Sequence, residues 1–361
     1  MPGRRAVGSS GRGAGPGDAP DLRTLDLRAL PKVELHRHLE GSLRLGTVIE
    51  LSRAAGLQLP AWTEEALAPL ALVREPVGSL EEALSRFALF QGAVRSLEAV
   101  RRVTREAVED LAADGVRLAE LRFSPQFLCE PGGLDWDAAL EAILQGLEDT
   151  RGQDVAVGLV AIASRDYGLE SARATAGFAL RHREHLVGFD LAGPELGFPP
   201  RRYRDVVNPV KEAGLGLTAH YGESGPPSYA LEALEALGAD RLGHGLSVAR
   251  DPEAVRRVAE AGVTLEMCPT SNWLTGGVAR LGDHPARRLL GQGVRVTLNS
   301  DDPGLFGTDL THEFEVARDE LGFSWGDVRA VTANALAASF LPPPVKEAVR
   351  ARHFGWLGPA D

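Results

Sequence analysis

Eight short β-rich runs alternate with longer amphipathic stretches along most of this chain, and this alternation limits the folds available to it. The amphipathic stretches, such as SLEAVRRVTREAVEDLAADG, carry apolar residues at helical spacing and end in glycine. The predicted strands are residues 32–36, 116–122, 155–161, 186–191, 215–220, 241–244, 263–267 and 294–298. Strands that alternate with helices pair in parallel, so the pattern predicts an α/β fold, a closed (β/α)8 TIM barrel. A doubly wound open sheet is the alternative, but no G-x-G-x-x-G follows the first strand.

The segment between the first two strands is too long for one crossover helix. It is rich in Leu, Ala, Glu and Arg, with prolines at 60, 69 and 76. We therefore expect an inserted helical segment over the barrel mouth. The barrel domain is predicted to span residues 21–361 and to be a metal-dependent hydrolase, for the reasons given below. Residues 1–20 are predicted to be a disordered tail, since their glycine content leaves neither an amphipathic targeting helix nor a secretory apolar core.

Charge and cysteine content restrict the partners and the compartment. The formal net charge of −11 argues against nucleic acid or an anionic membrane as the main partner. Only two cysteines occur, far apart, so a reducing cytoplasm is expected and a disulfide framework is not. No apolar run is long enough to span a membrane. A small-molecule substrate is therefore expected, and the sequence is compatible with either a monomer or a homo-oligomer.

Polar residues gather where the predicted strands end. His36 and His38 lie two positions apart, so they share one face of the first strand. Later strands end in TAHYGE, RLGHG and LNSDDPG, and the carboxyl ends of barrel strands converge on one mouth, where catalytic residues of this fold lie. Imidazoles with a carboxylate suit zinc, with one coordination position left for water. The fourth strand, GFDLAG, offers no lysine to bridge two metals, which favours one ion.

Each of these patterns also has a structural interpretation. Asp301-Asp302 before Pro-Gly is a good turn sequence, GHG can be a bend, and Glu223 can be a solvated loop acid. Ser271 and Asn272 can cap the next helix, and Arg122 favours a structural ion pair over catalysis. The five remaining histidines are expected to be surface or packing residues; they are His182, His185, His284, His312 and His353.

Six ordered motifs resemble those of the adenosine deaminase family of the amidohydrolase superfamily: PKVELHRHLEG, DLAG, TAHYGE, RLGHG, CPTSN and LNSDDP. The resemblance implies that one zinc ion is held by His36, His38, His220 and Asp301 and that the ion lowers the pKa of a bound water. It further implies that His244 takes the water proton and Glu223 protonates purine N1. Two substrate contacts are also implied, from Asp302 to N7 and from the Gly193 N–H to N3. The implied reaction is hydrolytic removal of the 6-amino group of adenosine or deoxyadenosine.

The resemblance is weaker at the positions that select the substrate. Family members that act on adenosine commonly carry Asp where this chain has Glu40, and related adenine deaminases carry Glu. Tyr221 replaces the usual alanine of HAGE and could narrow the pocket or stack on the substrate. Arg44 could bind the carboxylate of 6-aminodeoxyfutalosine, a substrate of other family members, or could lie in solvent at a helix start. Adenine and 6-aminodeoxyfutalosine therefore stay open as alternative substrates. Two other classes also stay open, a two-metal amidohydrolase and a non-catalytic homologue.

Overall fold

Eight parallel strands form one sheet whose spatial order follows the sequence. The computed structural model describes residues 21–77 and 80–358, except for the side chains of residues 80–85. The strands are β1 Lys32–His38, β2 Val116–Phe123, β3 Ala156–Ser164, β4 Gly188–Ala192, β5 Gly216–Tyr221, β6 Arg241–His244, β7 Thr264–Met267 and β8 Arg295–Leu298. A parallel bridge between Arg37 and Asp301 brings the chain after β8 against β1. The predicted α/β barrel is confirmed, whereas the predicted tail at residues 1–20 lies outside the described residues.

Sixteen α-helices accompany the strands in the described part of the chain. They are α1 Leu45–Ala54, α2 Glu64–Ala71, α3 Leu80–Ala93, α4 Leu97–Ala113, α5 Pro125–Cys129, α6 Trp136–Asp149, α7 Gly168–Arg181, α8 Arg204–Glu212, α9 Pro227–Glu232, α10 Pro252–Ala261, α11 Pro269–Leu274, α12 Ala286–Gly291, α13 Pro303–Phe306, α14 Leu310–Asp319, α15 Trp325–Ala338 and α16 Pro343–His353. None of them is both long enough and apolar enough to cross a membrane.

Helix α4 shows how the local sequence sets these elements. The Ser96 hydroxyl accepts a hydrogen bond from the Ala99 N–H and caps the start of the helix. Val100, Val103 and Leu111 are buried along one side, at the spacing of a helical face that packs on the barrel. The helix stops before Gly115, whose φ of 78° is in the left-handed region that glycine adopts without strain.

Four helices, α1 to α4, separate β1 from β2, as the length of this segment predicts. Helix α4 returns the chain to β2 and packs beside α6. Helix α3 brings Phe87 to the cavity at the barrel mouth. The inserted helical segment after the first strand is therefore present.

Strand β1 divides its side chains as its alternation predicts. Val33 and Leu35 pack outward in an apolar cluster with Leu336 of α15. Glu34 points inward and accepts a hydrogen bond of 2.6 Å from the Ser300 hydroxyl, while His36 is fully buried. The strand continues to His38, two residues beyond its predicted end, so both histidines belong to the strand itself. The inward face of β1 thus carries polar groups toward the mouth.

Candidate metal and catalytic site

The carboxyl ends of the strands surround a cavity of about 260 Å³. Eight of the predicted mouth residues line it: His38, Glu40, Gly193, His220, Glu223, His244, Asp301 and Asp302. His36, Arg44 and Tyr221 do not. Since these residues come from β1, β4, β5, β6 and the segment after β8, only the closed barrel brings them together.

Three histidines and one aspartate form a group able to hold a metal ion. One ligand atom from each of His36, His38, His220 and Asp301 lies within 4.8 Å of the others. The Nε2 atoms of His36 and His38 are 3.2 and 3.3 Å from Asp301 Oδ1. His36 Nε2 is buried and has no hydrogen-bond partner. A buried nitrogen without a partner that faces a carboxylate suits a bound cation, and this donor set is one that zinc prefers.

Buried acids contact two of the histidines on the side away from the metal-ligand group and so fix the orientation of their imidazole rings. His36 Nδ1 lies 2.8 Å from Glu266, and His220 Nδ1 lies 3.1 Å from Asp190. Arg122 joins the two acids, with guanidinium nitrogens 2.7 Å from Asp190 and 2.8 Å from Glu266. In these contacts each Nδ1–H donates to a carboxylate, which leaves Nε2 free for a metal, as in carboxylate–histidine–zinc sites. Arg122 is thus part of a buried ion-pair network, the interpretation that its sequence favoured.

Burial keeps His220 neutral, which metal ligation requires. Removal from water disfavours the imidazolium and lowers the pKa of His220 to about 4. The ring nitrogen toward the cavity then carries a lone pair at neutral pH. Burial likewise lowers the pKa of His38 below its usual value.

Two residues at the mouth have strained backbone. His244 and Asp301 have φ values of 61° and 62°, and they are the only non-glycine residues with positive φ among those described. Such conformations persist where the surrounding structure enforces them, and they are concentrated at functional sites. The Asp301–Asp302 pair does lead into a turn, the short helix α13, but Asp301 also belongs to the metal group. The turn interpretation and the ligand interpretation therefore describe the same residues.

Glu223 lines the cavity with 11% of its side chain exposed, so it is a largely buried acid and not a solvated loop residue. Burial raises the pKa of Glu223 to about 8, and the charges of Asp301 and Glu195 contribute further. One of its carboxyl oxygens lies 3.7 Å from His244 Nε2. At neutral pH the group therefore carries a proton that it can give to a base in the cavity.

The other predicted substrate contacts also lie at the cavity. Glu40 accepts a hydrogen bond of 2.7 Å from the Ser124 N–H through one oxygen, while its second oxygen is buried without a partner. Burial raises the pKa of Glu40 to about 7. Burial, and then the charges of Asp301, Glu40 and Glu223, raise the pKa of Asp302 well above its usual value. Gly193 has a φ of 86°, and a Cβ there would collide with Ser164, so the close approach of backbone to the cavity requires glycine.

Two residues considered for substrate binding lie outside the cavity, and for Arg44 the structure agrees with the alternative of an exposed residue at a helix start. Arg44 does not reach the cavity, because its guanidinium lies 2.6 Å from Asp110 and 3.1 Å from Glu109 on the outer face of α4. Tyr221 does not narrow the pocket: its ring lies under the Arg165 guanidinium, 4.2 Å from ring centre to carbon, and its hydroxyl donates to the Phe198 carbonyl. Neither residue lines the cavity.

Sequence reasoning assigned no catalytic or binding role to several residues that support the site. Ser271 donates a hydrogen bond of 2.6 Å to Asp301 and the Asn272 amide lies 3.1 Å from His244 Nδ1, so these residues support the mouth and do not cap α11. His284, interpreted as an ordinary residue, is buried and contacts Asn272 at 3.1 Å. Polar residues at strand ends, as in EMCPTSN, are the signal that points to Ser271 and Asn272. Nothing in the sequence around His284 does so.

Comparison with known proteins agrees with the geometry of the site. The family model described as adenosine deaminase matches residues 31–353. The adenosine deaminase of Erwinia tasmaniensis is 38% identical over 324 residues, which cover 90% of this chain and 98% of that protein.

Two solved structures extend the comparison to three dimensions. The adenine deaminase of Arthrobacter aurescens has a TM-score of 0.85 at 30% identity, covering 92% of this chain and 100% of that one. An amidohydrolase from Burkholderia ambifaria with bound Zn has a TM-score of 0.83 at 26% identity, covering 92% and 91% of the two chains.

Proposed function

The chain belongs to the adenosine deaminase family, and on that premise we propose that it removes the 6-amino group of adenosine or deoxyadenosine by hydrolysis. The products are the corresponding 6-oxopurine nucleoside and ammonia. The observation that carries the proposal is Glu223, an acid kept protonated at neutral pH beside the metal-ligand group. Hydrolysis at C6 of a purine needs such an acid, because protonation of N1 makes C6 electrophilic.

One zinc ion would be held by His36, His38, His220 and Asp301. When bound, the ion lowers the pKa of a water and so supplies the nucleophile at neutral pH. A second group of possible ligands joins His244, Cys268 and Asp301. It shares Asp301 with the first group, and burial raises the pKa of the Cys268 thiol well above its usual value, which disfavours the thiolate that binds metals. These observations support one ion and not two.

Other residues of the cavity would transfer protons and form hydrogen bonds with the purine nucleoside. Glu223 donates its proton to N1, and His244 accepts the water proton and orients the attack. Burial and the charges of neighbouring acids raise the pKa of Asp302 well above its usual value, which favours a carboxyl group that shares a hydrogen bond with N7. The Gly193 N–H would bind N3, and the free oxygen of Glu40 would accept a hydrogen bond from the 5′-hydroxyl.

The charge of the cavity favours a neutral substrate. Five acids line it, Glu40, Asp166, Glu223, Asp301 and Asp302, and no lysine or arginine does so among the described residues. A phosphate or a benzoate would find no positively charged side chain among these lining residues, which disfavours an anionic substrate. Arg44, the one cation predicted to offset a benzoate, lies elsewhere. This argues against 6-aminodeoxyfutalosine.

Adenine is the second candidate substrate. Two observations favour it: Glu40 stands where related adenine deaminases have glutamate, and the Arthrobacter aurescens adenine deaminase has a similar fold. A base without ribose would leave the Glu40 end of the cavity unfilled, and we therefore rank the nucleoside first. As for the cell compartment, we propose the cytoplasm, in keeping with the two unpaired cysteines.

An ammonia-release assay across four substrates tests the proposal. We expect the highest kcat/KM with adenosine or deoxyadenosine, a lower value with adenine, and no turnover of 6-aminodeoxyfutalosine. The matched control is Glu223→Gln, which keeps the shape of the cavity but removes the proton. A purified, zinc-loaded protein that releases ammonia fastest from 6-aminodeoxyfutalosine would overturn the substrate assignment, and one that acts on none of the four would overturn the proposed function.

A further inference from the structure

We propose that Glu195 is a positioning residue whose buried carboxylate holds the loop that carries Glu223. The inference rests on the proposed function, since it assigns Glu195 a part in delivering the proton from Glu223. Glu195 lies in the segment after β4, and only 1% of its surface is exposed. It does not line the substrate cavity, so its effect on the reaction must pass through the loop.

The contacts of Glu195 are made with three consecutive backbone amides. One oxygen accepts from Gly222 N–H at 2.7 Å, and the other accepts from Glu223 N–H at 2.8 Å and Ser224 N–H at 2.9 Å. These residues directly follow β5, where no strand partner remains for their N–H groups. A carboxylate is the one side-chain group with enough acceptor positions and no donor, so it satisfies all three amides at once.

The same loop is held from its other side. The Gly222 carbonyl accepts from the Ser247 N–H at 2.6 Å. Gly222 has a φ of 89°, and a Cβ there would press against Gly245. A Cβ at Gly225 would collide with the Glu195 carboxylate itself. The loop is thus fixed between Glu195 and the segment after β6, and its glycines are what allow so close an approach.

The consequence for catalysis is geometric. The Glu223 carboxyl group is attached to a peptide unit whose N–H is bound by Glu195, so release of that N–H lets the carboxyl group move relative to the cavity. A misplacement of about 1 Å at a reacting group can lower a rate by roughly 10²-fold. The negative charge of Glu195 also helps to raise the pKa of Glu223, which gives a second, electrostatic effect in the same direction.

Glu195→Gln tests the proposal, because the amide has one acceptor oxygen and turns an NH2 toward backbone donors. We expect kcat to fall by about 10- to 100-fold with KM changed less than about threefold and zinc content unchanged. We also expect faster hydrogen exchange at the amides of residues 222–224. Glu195→Asp keeps the charge but withdraws the oxygens by one methylene, so it should show the same faster exchange and a similar loss of kcat.

Asp114→Asn is the matched control. Asp114 is also buried and accepts from the Leu310 N–H at 2.8 Å and the Thr311 N–H at 3.2 Å, but it precedes β2, at the opposite end of the barrel. Its variant should lose stability while kcat of the folded enzyme and exchange at residues 222–224 stay unchanged.

The exchange measurement separates failure of this inference from failure of the proposed function. It needs no substrate, so it reports on the loop even if the wild-type protein releases no ammonia from any purine. Unchanged exchange at residues 222–224 in both Glu195 variants would overturn the positioning role. Faster exchange with an unchanged kcat on adenosine would also overturn it, since the loop would then be held without consequence for proton delivery. If Glu195→Gln does not fold, Glu195→Asp carries both readouts.

Discussion

Buried carboxylates differ in their hydrogen bonding between the two ends of the barrel, the mouth at the carboxyl ends of the strands and the floor at the opposite end. At the floor, Glu120 pairs with Arg241 and accepts hydrogen bonds from the Ser339 hydroxyl and the Phe340 N–H. At the mouth, Glu40 and Asp302 each have one buried oxygen without a hydrogen-bond partner. Burial raises the pKa values of these two acids and of Glu223. The floor therefore uses charge to hold the barrel, and the mouth keeps hydrogen-bonding capacity for a ligand.

The difference indicates that buried carboxyl oxygens without hydrogen-bond partners mark the ligand-binding end of the barrel. Leaving a buried polar atom without a partner costs about 1–3 kcal/mol, and at the mouth a bound ligand can offset that cost. The strained backbone at His244 and Asp301 lies at the same end of the barrel. A middle layer, Arg122 with Asp190 and Glu266, connects the two ends, because Glu266 contacts both Arg241 and His36 of the metal group.

The largest effect is expected for His36→Ala at the mouth. Removal of one ligand leaves the metal group incomplete, so we expect zinc to be lost and kcat/KM to fall by more than about 10⁴-fold. Metal analysis and ammonia release on the same sample measure both quantities. Retained turnover with a full complement of zinc would remove His36 from the ligand set.

Next in size is Glu223→Gln. We expect kcat to fall by roughly 10²–10⁴-fold with zinc content unchanged, because the amide cannot donate the proton to N1. Because the pKa of Glu223 is raised to about 8, wild-type kcat should decline as pH rises through about 8. A bound cation would lower this pKa and move the decline to a lower pH. That decline should be absent from the residual activity of the variant. An effect smaller than tenfold would place the proton donor elsewhere.

At the floor, Glu120→Gln should lower stability and leave activity nearly unchanged, the opposite of the substitutions at the mouth. It removes one of two acidic partners of the buried Arg241, which keeps Glu266, and is expected to lower the free energy of unfolding by about 1–3 kcal/mol. Because Glu120 is remote from the cavity, kcat of the folded enzyme should stay within twofold of wild type. Denaturant unfolding and a saturating assay give the two numbers. A large loss of kcat without loss of stability would mean that the two ends are not separate in role.

Glu40→Gln at the mouth should affect stability mainly through its pH dependence. Burial raises the pKa of Glu40 from its usual 4.5 to about 7, so its stabilising contribution is full below the lower value and is lost as pH rises through 7. We therefore expect wild type to lose stability relative to the variant between about pH 5 and pH 8. Unfolding curves at several pH values test this, and a stability difference that does not change with pH would show that Glu40 is ionised in the folded protein throughout.

The smallest effect is expected for Arg44→Ala, outside both regions. Its pairs with Asp110 and Glu109 are partly exposed and should contribute less than about 1 kcal/mol. Turnover of adenosine should not change. A selective loss of 6-aminodeoxyfutalosine turnover would return Arg44 to the substrate site.

The sequence by itself determined the barrel and the identity of the mouth residues. Alternation of strands and helices implies parallel pairing, and parallel strands bring their carboxyl ends together whatever the details of packing. His36, His38, His220, Glu223, His244 and the Asp301–Asp302 pair were placed at one mouth by that topology alone.

Only the tertiary structure decided what the longer side chains and the loops do. Arg44 and Tyr221 lie near the mouth in sequence, yet packing against α4 and Arg165 turns them away from the cavity. Glu195 and His284 reach the site through contacts across 27 and 12 positions, respectively, which no local pattern encodes. The physical reason is that strand topology fixes backbone position, whereas side-chain direction and hydrogen-bond partners depend on which neighbours fill the remaining space.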